Sequence, residues 1–571
     1  MALQINVMVG GEAGQGVQSI GFILAKSLAR GGYHIFADQD YESRIRGGHN
    51  FYRVRAADSP ISAIADAIDI LVALNIETIS LHQKELDPKG VIIFDIEKVK
   101  DAAGLKNAFG VPLDRLATES AGDKLMANTV ALGAALGLVR YDLEIIGQVL
   151  VEFFKNAEVA EKNIKATRAG YEYVRDNFKG SFDSRLSPIS KTKRMLLNGN
   201  EAMALGAIAA GCKFMAAYPM TPVTSIMEYL AAKADEFGLV VVPAEDEIAA
   251  INMTIGAGYA GARAMTATSG SGFCLMVEGL GLAAITETPI VVVEGQRPGP
   301  AIGLPTRTEQ GDLQFVLYAH QGDFPRAVLA PNTIEDCFWL TVKAFNLADK
   351  YQTPVIVMTD HVLATSYTTV DKFDLSKVTI DRGLLLSASE PNDAEYKRYK
   401  ITPSGISPRA FPGQGKALVV ADSDEHDEAG HLIEDAETRT QMMDKRMRKL
   451  TGLSKEVATP EVYGPKQADT LLIGWGSTCG AIREATDILN KHGASVSCLS
   501  LNELWPFPAE AVSNILNNAK RSFVIENNAT GQLARLIRTE TGIKVSGNIL
   551  KYDGRPFTPD SIAQAVRKEA R

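Results

Sequence analysis

Cysteine is scarce in this chain and scattered. The five residues, Cys212, Cys274, Cys337, Cys479 and Cys498, include no Cys-x-x-Cys pair. An iron–sulfur cluster wants four thiolates, commonly at close spacing, so no cluster motif is present. An odd, dispersed set also reads as reduced thiols, not as a disulfide framework. The eight histidines lack the paired spacing that holds a metal. No uninterrupted apolar run approaches about 18 residues, so no membrane-spanning helix is expected. Basic charge is not in excess: 59 Lys and Arg stand against 68 Asp and Glu, a net charge of −9. That balance argues against a nucleic-acid footprint. No charged-then-apolar leader precedes the strand-like run Ile5-Asn6-Val7-Met8-Val9, and a cytoplasmic location is expected. Low-complexity tracts and short solenoid repeats are missing too.

The remaining composition is that of a globular protein, 46% hydrophobic and 22% charged over 571 residues. That length predicts three or four domains. Residues 198–308 carry the most information. Four polar blocks stand there: Tyr218-Pro219-Met220-Thr221-Pro222, Pro243-Ala244-Glu245-Asp246-Glu247, Ser269-Gly270-Ser271-Gly272 and Gly295-Gln296-Arg297-Pro298. Each lies where a short apolar run meets a helical one. In an open α/β sheet such junctions lie at the carboxyl ends of the strands, where ligands bind. Four of them in one module point to one shared site.

Each block also has a plainer reading. Pro243 ends the β-branched run Val240-Val241-Val242, and Glu247 then falls in the first turn of a helix, where an acid complements the dipole. Thr221 before Pro222 reads as an N-cap just as well. Arg297 follows the buried-strand run Ile290-Val291-Val292-Val293 and could be a solvated charge. Cys274 reads as a small buried hydrophobe.

Together the blocks resemble a known family. The chain is similar to the α subunit of the 2-oxoacid:ferredoxin oxidoreductases, in the form with the γ domain fused ahead of the α chain. Met220 stands where the family signature Tyr-Pro-Ile-Thr-Pro has Ile. The resemblance implies thiamine diphosphate as cofactor, coenzyme A as cosubstrate and ferredoxin as electron acceptor. That cofactor must lose its C2 proton before it attacks a 2-oxo acid, and then serves as an electron sink. By motif position Glu247 matches the Glu that holds N1′ of the aminopyrimidine, with Glu245 the competitor. Tyr218, Pro219 and Ser269 match cofactor-binding positions. Thr221, Arg297 and Thr306 match substrate-binding positions, and Arg suits a carboxylate because its guanidinium presents a planar fork. Arg263 and Arg307 are candidate donors to the second carboxylate of a longer substrate.

The expected fold class is α/β, with several doubly wound parallel-sheet domains. Residues 1–182 form a γ-like α/β domain and 183–193 a linker. Residues 194–375 form the domain that binds the pyrimidine of thiamine diphosphate. Residues 376–465 are a loop-rich connection, and 466–571 resemble the transketolase C-terminal domain. Gly10, Gly11, Gly14 and Gly16 suit either a phosphate at a helix start or a tight turn without ligand. Tyr41, Arg44 and Arg46 belong to a γ-domain signature implying a coenzyme A channel or subunit contact. The loop at 404–409 resembles one that closes over the cofactor region. Asn527 suits coenzyme A contact or packing. The acids and histidines of 422–431 read as a structural segment ahead of a metal site.

One thing the resemblance calls for is missing. Thiamine enzymes hold the diphosphate metal with Gly-Asp-Gly, and the chain offers only Gly311-Asp312, Gly322-Asp323 and Asp553-Gly554. A separate β subunit is therefore expected to supply the diphosphate and Mg2+ sites and a 4Fe–4S cluster, in a dimer of αβ heterodimers. The expected reaction is oxidative decarboxylation of 2-oxoglutarate to succinyl-CoA. The alternatives are pyruvate, branched-chain or aryl 2-oxo acids, or a non-catalytic scaffold.

Overall fold

The computed structural model describes residues 3–42, 47–102, 104–190, 192–387, 389–390, 396–416 and 418–569. Arg44 and Arg46 lie outside the described residues. The chain forms two units. The first comprises Met1–Leu197, Thr365–Lys372 and Thr558–Ser561; the second comprises Asn198–Ala364, Phe373–Phe557 and Ile562–Arg571.

In the first unit an eight-stranded sheet runs Ala108–Val111, Leu86–Asp95, Ile68–Ala73, Gln4–Glu12, His49–Ala57, His34–Asp40, Tyr367–Val370, Met195–Leu197. The first four strands are mutually parallel, and every later pairing is antiparallel. The parallel half is rich in Val and Ile because both its faces are covered. Val7, Val9, Ile70 and Val72 are buried on one face, Met8, Leu71, Ile92 and Phe94 on the other. Helix Ala127–Val139 packs on helix Ala157–Asn177 through two glycines. A Cβ on Gly133 would lie 1.9 Å from the Thr167 carbonyl oxygen, and one on Gly170 2.0 Å from that of Val130.

Two glycines of the run near the amino terminus are closely packed. Gly10 and Gly11 lie inside strand Gln4–Glu12, and Gly16, left-handed at φ 76°, precedes helix Val17–Arg30. A Cβ on Gly10 would meet Thr78 at 2.5 Å, and one on Gly16 would meet Asn128 at 2.1 Å. Neighbouring side chains thus fill the space these glycines leave.

The second unit holds two sheets. One runs Glu503–Trp505, Ala327–Leu329, Pro354–Asp360, Ile290–Gln296, Ala264–Ser269, Phe214–Ala217, Val240–Pro243, parallel except for the first strand. The other runs Val462–Tyr463, Val496–Leu501, Thr470–Trp475, Arg521–Glu526, Gly547–Leu550, also parallel except for its first strand. Chain order reverses beside Phe214–Ala217: the next strand pairs on one side of it and the following strand on the other. Such a switch point opens a crevice at the carboxyl ends. Ser269 is level with Gly295, and Gln296 with Asp360, so these ends form one edge. No helix among the described residues is long and apolar enough to cross a membrane.

Segment 376–465 is anchored at the opposite edge of that sheet. Asp349, shortly before strand Pro354–Asp360, bonds Arg263 at 2.8 Å and Arg382 and Arg409 at 2.7 Å. Glu287, shortly before strand Ile290–Gln296, bonds Lys445 and, at 2.6 Å, Lys449; all three side chains are buried. Both lysines come from helix Ala436–Glu456. Breaking a buried set of this kind by removing one partner costs about 3–5 kcal/mol. Strands of this length separate the two edges by about 20 Å at the usual rise per residue.

Two expectations are corrected by this arrangement. The loop at 404–409 does not cover the carboxyl edge: the Ser407 carbonyl accepts from Gln352 Nε2 at 2.6 Å and Arg409 holds Asp349. Arg263 is no donor to a substrate carboxylate. Its guanidinium is committed to Asp349, the Ala210 carbonyl and Asn346 at that same amino edge. In 422–431, Glu425 pairs with Arg446 at 2.6 Å, Asp427 accepts the Ala429 and His431 N–H groups, and His426 lies 4.1 Å from the Tyr399 ring.

Candidate active site

Strand Phe214–Ala217 delivers Tyr218 and Pro219, both exposed, and then Thr221, half-buried, ahead of helix Thr224–Ala232. That helix is capped by Val223 without a side-chain bond, so Thr221 is not its N-cap. The Thr221 carbonyl accepts Arg297 Nη1 at 3.0 Å.

Strand Val240–Pro243 leads to helix Glu247–Tyr259, whose N-cap is Asp246; its carboxylate accepts the Ala249 N–H at 2.7 Å. Asp246 takes the capping role and leaves Glu247 without one. Glu247 is 4% exposed, and its Oε1 makes no hydrogen bond. Glu245 is exposed. A Cβ on Gly272 would lie 2.5 Å from Glu247 Oε1, so the carboxylate rests against bare backbone at the start of helix Gly270–Ile285.

Strand Ala264–Ser269 passes directly into that helix. Ser269 is fully buried, and its hydroxyl also makes no hydrogen bond. Ser271 Oγ accepts from Arg297 Nη2 at 3.4 Å. Cys274 is exposed, against expectation, because Phe273 and Met276 take the buried face of the helix.

Arg297 is buried at the end of strand Ile290–Gln296. Burial lowers its pKa, opposed by Asp312 and Glu247. A guanidinium carries five N–H donors. The protein uses Nη1 and Nη2 once each, so donors remain for an anion. Behind it, Glu294 is fully buried, and burial first and Asp312 second hold its pKa well above the usual carboxylate range. Burial also raises Asp312, whose N–H donates to Gln296 Oε1 at 3.1 Å. Sequence gives little sign of Glu294, which closes an unbroken Val run.

Thr306 is buried, and its carbonyl and hydroxyl oxygens accept from Arg307 Nη1 at 3.0 and 3.3 Å. Thr308 Oγ1 donates to Asp360 Oδ1 at 3.2 Å, which sets this loop at the carboxyl edge. Asn527 serves packing: it is 2% exposed and donates to the Lys551 and Arg555 carbonyls. The structure thus brings Thr221, Glu247, Ser269, Arg297 and Thr306 to one edge of one sheet.

A buried acceptor without a donor needs a ligand or a proton to satisfy it. The aminopyrimidine of thiamine diphosphate fits Glu247 in this respect, since Oε1 is buried and has no partner within the protein. A diphosphate metal finds no counterpart: among the described residues no group of three or more His, Cys, Asp or Glu side chains is set to hold a metal.

Comparison with known proteins shows the family. Residues 205–445 match the profile of the thiamine diphosphate-binding part of pyruvate flavodoxin/ferredoxin oxidoreductases. Residues 6–173 match a pyruvate ferredoxin/flavodoxin oxidoreductase profile, and 468–562 match core domain II of pyruvate:ferredoxin oxidoreductase. A Sulfolobus 2-oxoacid:ferredoxin oxidoreductase subunit alpha is 34% identical over 99% of this chain and 97% of its own length. The Mycobacterium tuberculosis 2-oxoglutarate oxidoreductase subunit KorA is 30% identical, covering 98% of this chain and 91% of its own. A solved 2-oxoglutarate:ferredoxin oxidoreductase from Magnetococcus marinus, with 2-oxoglutarate, coenzyme A and succinyl-CoA bound, superimposes at a TM-score of 0.92 with 34% identity over the whole of both chains. On this fold, this edge and these relatives, the chain belongs to the 2-oxoacid:ferredoxin oxidoreductase alpha subunits.

Proposed function

We propose that this chain acts on 2-oxoglutarate, in the coenzyme A-dependent oxidative decarboxylation that yields succinyl-CoA and CO2 and passes two electrons to ferredoxin. The observation that carries the reading is a buried Glu247 carboxylate, its Oε1 without a partner, at the same edge as an Arg297 fork with donors to spare. The names of the Magnetococcus and Mycobacterium relatives support the choice of 2-oxo acid. When bound, thiamine diphosphate supplies the carbanion chemistry. Glu247 holds the aminopyrimidine at N1′ and sets its tautomer, and Ser269, Tyr218 and Pro219 line its place. Thr221 and Arg297 hold the substrate carboxylate, with Thr306 beside them. An intact Glu247 and Arg297 disfavour a scaffold without activity.

A β subunit completes the site with the diphosphate, Mg2+ and 4Fe–4S sites, in a dimer of αβ heterodimers that works in the cytoplasm. The apolar surface near Glu247 supports a covering partner: Ile248 is 50% exposed, Met253 43% and Leu275 50%. The chain purified alone is expected to carry no iron and to turn over no 2-oxo acid. Stoichiometric iron in the single chain, by elemental analysis, would overturn that.

The substrate is tested by CO2 release from the co-purified complex across 2-oxoglutarate, pyruvate, branched-chain and aryl 2-oxo acids. The highest kcat/KM is expected for 2-oxoglutarate. A preference for any other acid overturns the choice.

A further inference from the structure

We infer that Asn200 is a positioning residue for the substrate: by gripping the Pro222 carbonyl it fixes the turn that presents Thr221. The inference rests on the assignment of Thr221 to the substrate carboxylate.

Asn200 lies in the first turn of helix Gly199–Ala209, next to a complete capping box of Asn198 and Glu201. The cap is thus already made, and Asn200 has no part in it. Its side chain is fully buried and points across to another helix start. Nδ2 donates to the Pro222 carbonyl at 2.7 Å and to Ser225 Oγ at 2.8 Å. A carbonyl only accepts, so the amide orientation is fixed by its partner. The other amide atom, Oδ1, has no partner. A buried amide that leaves an acceptor unsatisfied is costly, and it persists here with both donor bonds directed at one turn.

That turn is held from three sides. Arg297 Nη1 takes the Thr221 carbonyl, and Asn200 takes the next carbonyl along. Beneath, Gly295 lets the turn lie on its strand: a Cβ there would come 2.5 Å from Val223 Cγ1 and 3.1 Å from the Pro222 ring. Two of these three neighbours, Asn200 and Gly295, place Thr221 without needing to touch the substrate. A shift of a few tenths of an ångström in this turn moves a hydroxyl that must meet a carboxylate within hydrogen-bond range.

The test uses the co-purified complex, with wild type, Asn200→Ala, Asn200→Asp, Thr221→Ala and the Asn200→Ala/Thr221→Ala pair. KM and kcat are measured for the 2-oxo acid and for coenzyme A. Calorimetry without coenzyme A gives the equilibrium affinity for the 2-oxo acid. Loss of Asn200's donors is expected to raise the KM and Kd of the 2-oxo acid by about tenfold, with kcat and the coenzyme A KM far less changed. Asn200→Asp should be at least as harmful, since a carboxylate at that place repels the Pro222 carbonyl. The double variant should be no worse than Thr221→Ala alone. Gly295→Ala reaches the same turn from below and should give the same signature if the Asn200 variants do not assemble. An assembled Asn200→Ala complex with unchanged substrate KM and Kd, or additive effects in the pair, overturns the inference while leaving the role of Thr221 intact. An unchanged KM in Thr221→Ala instead removes the reading beneath it.

Discussion

Replacing Glu247 with Gln in the assembled enzyme is expected to lower turnover by about two to four decades, the usual contribution of a general acid–base group. The amide keeps the size of the side chain and its place against Gly272. It does not keep the carboxylate's ability to take and return a proton at N1′. The fold should survive, because Asp246 rather than Glu247 caps helix Glu247–Tyr259 and Glu247 Oε1 holds no bond within the protein. Glu245→Gln is the matched control, since Glu245 is exposed. Its effect on kcat should be small. Equal losses in the two variants would leave the assignment of Glu247 without support.

Replacing Arg297 with Lys should damage substrate use by about one to two decades in kcat/KM, the scale of a lost charge-assisted hydrogen bond. The charge remains but the planar fork does not. The fork does two things at once. It braces the Thr221 carbonyl and Ser271 Oγ from within and leaves donors for the ligand. A single ammonium would have to give up one task. Affinity for thiamine diphosphate should barely move, because the proposed grip on that cofactor runs through Glu247 and the partner chain. Should Arg297→Lys leave 2-oxoglutarate kinetics intact and weaken only coenzyme A, the residue would belong to the acceptor side.

The carboxyl edge was legible because its signals are local. Pro243 stops a β-branched run, and that alone sets Glu247 at a helix start. The bare Ser269-Gly270-Ser271-Gly272 junction marks a strand that turns straight into a helix. Other parts depend on contacts that sequence does not display. Asn200 acquires its partner 22 residues away, across two helix starts. Glu294 hides in an apolar strand, and only the folded chain brings the burial and the Asp312 carboxylate that raise its pKa.

The connecting segment is the clearest case. Helix Ala436–Glu456 buries Met442, Lys445, Arg446, Lys449 and Leu453, a stripe at helical spacing that is mostly cationic. Apolar periodicity therefore gives no sign of it. Its charges are matched by Glu287 from the sheet domain and Glu425 from the segment itself, which only the folded chain brings together. Arg263 was open to the same confusion: a lone Arg before a strand reads equally as a ligand donor or as half of a buried ion pair. Strand Tyr367–Val370 likewise joins the edge of the first sheet from far along the chain, a pairing that sequence does not display.

The most direct test is exchange of the C2 proton of thiamine diphosphate, followed by NMR on the co-purified complex, on the same complex carrying Glu247→Gln, and on this chain alone. Fast exchange is expected in the wild-type complex only, with a large loss in the variant. Undiminished exchange in the variant, or fast exchange by the isolated chain, would contradict a site that this chain shares with a partner and drives through Glu247.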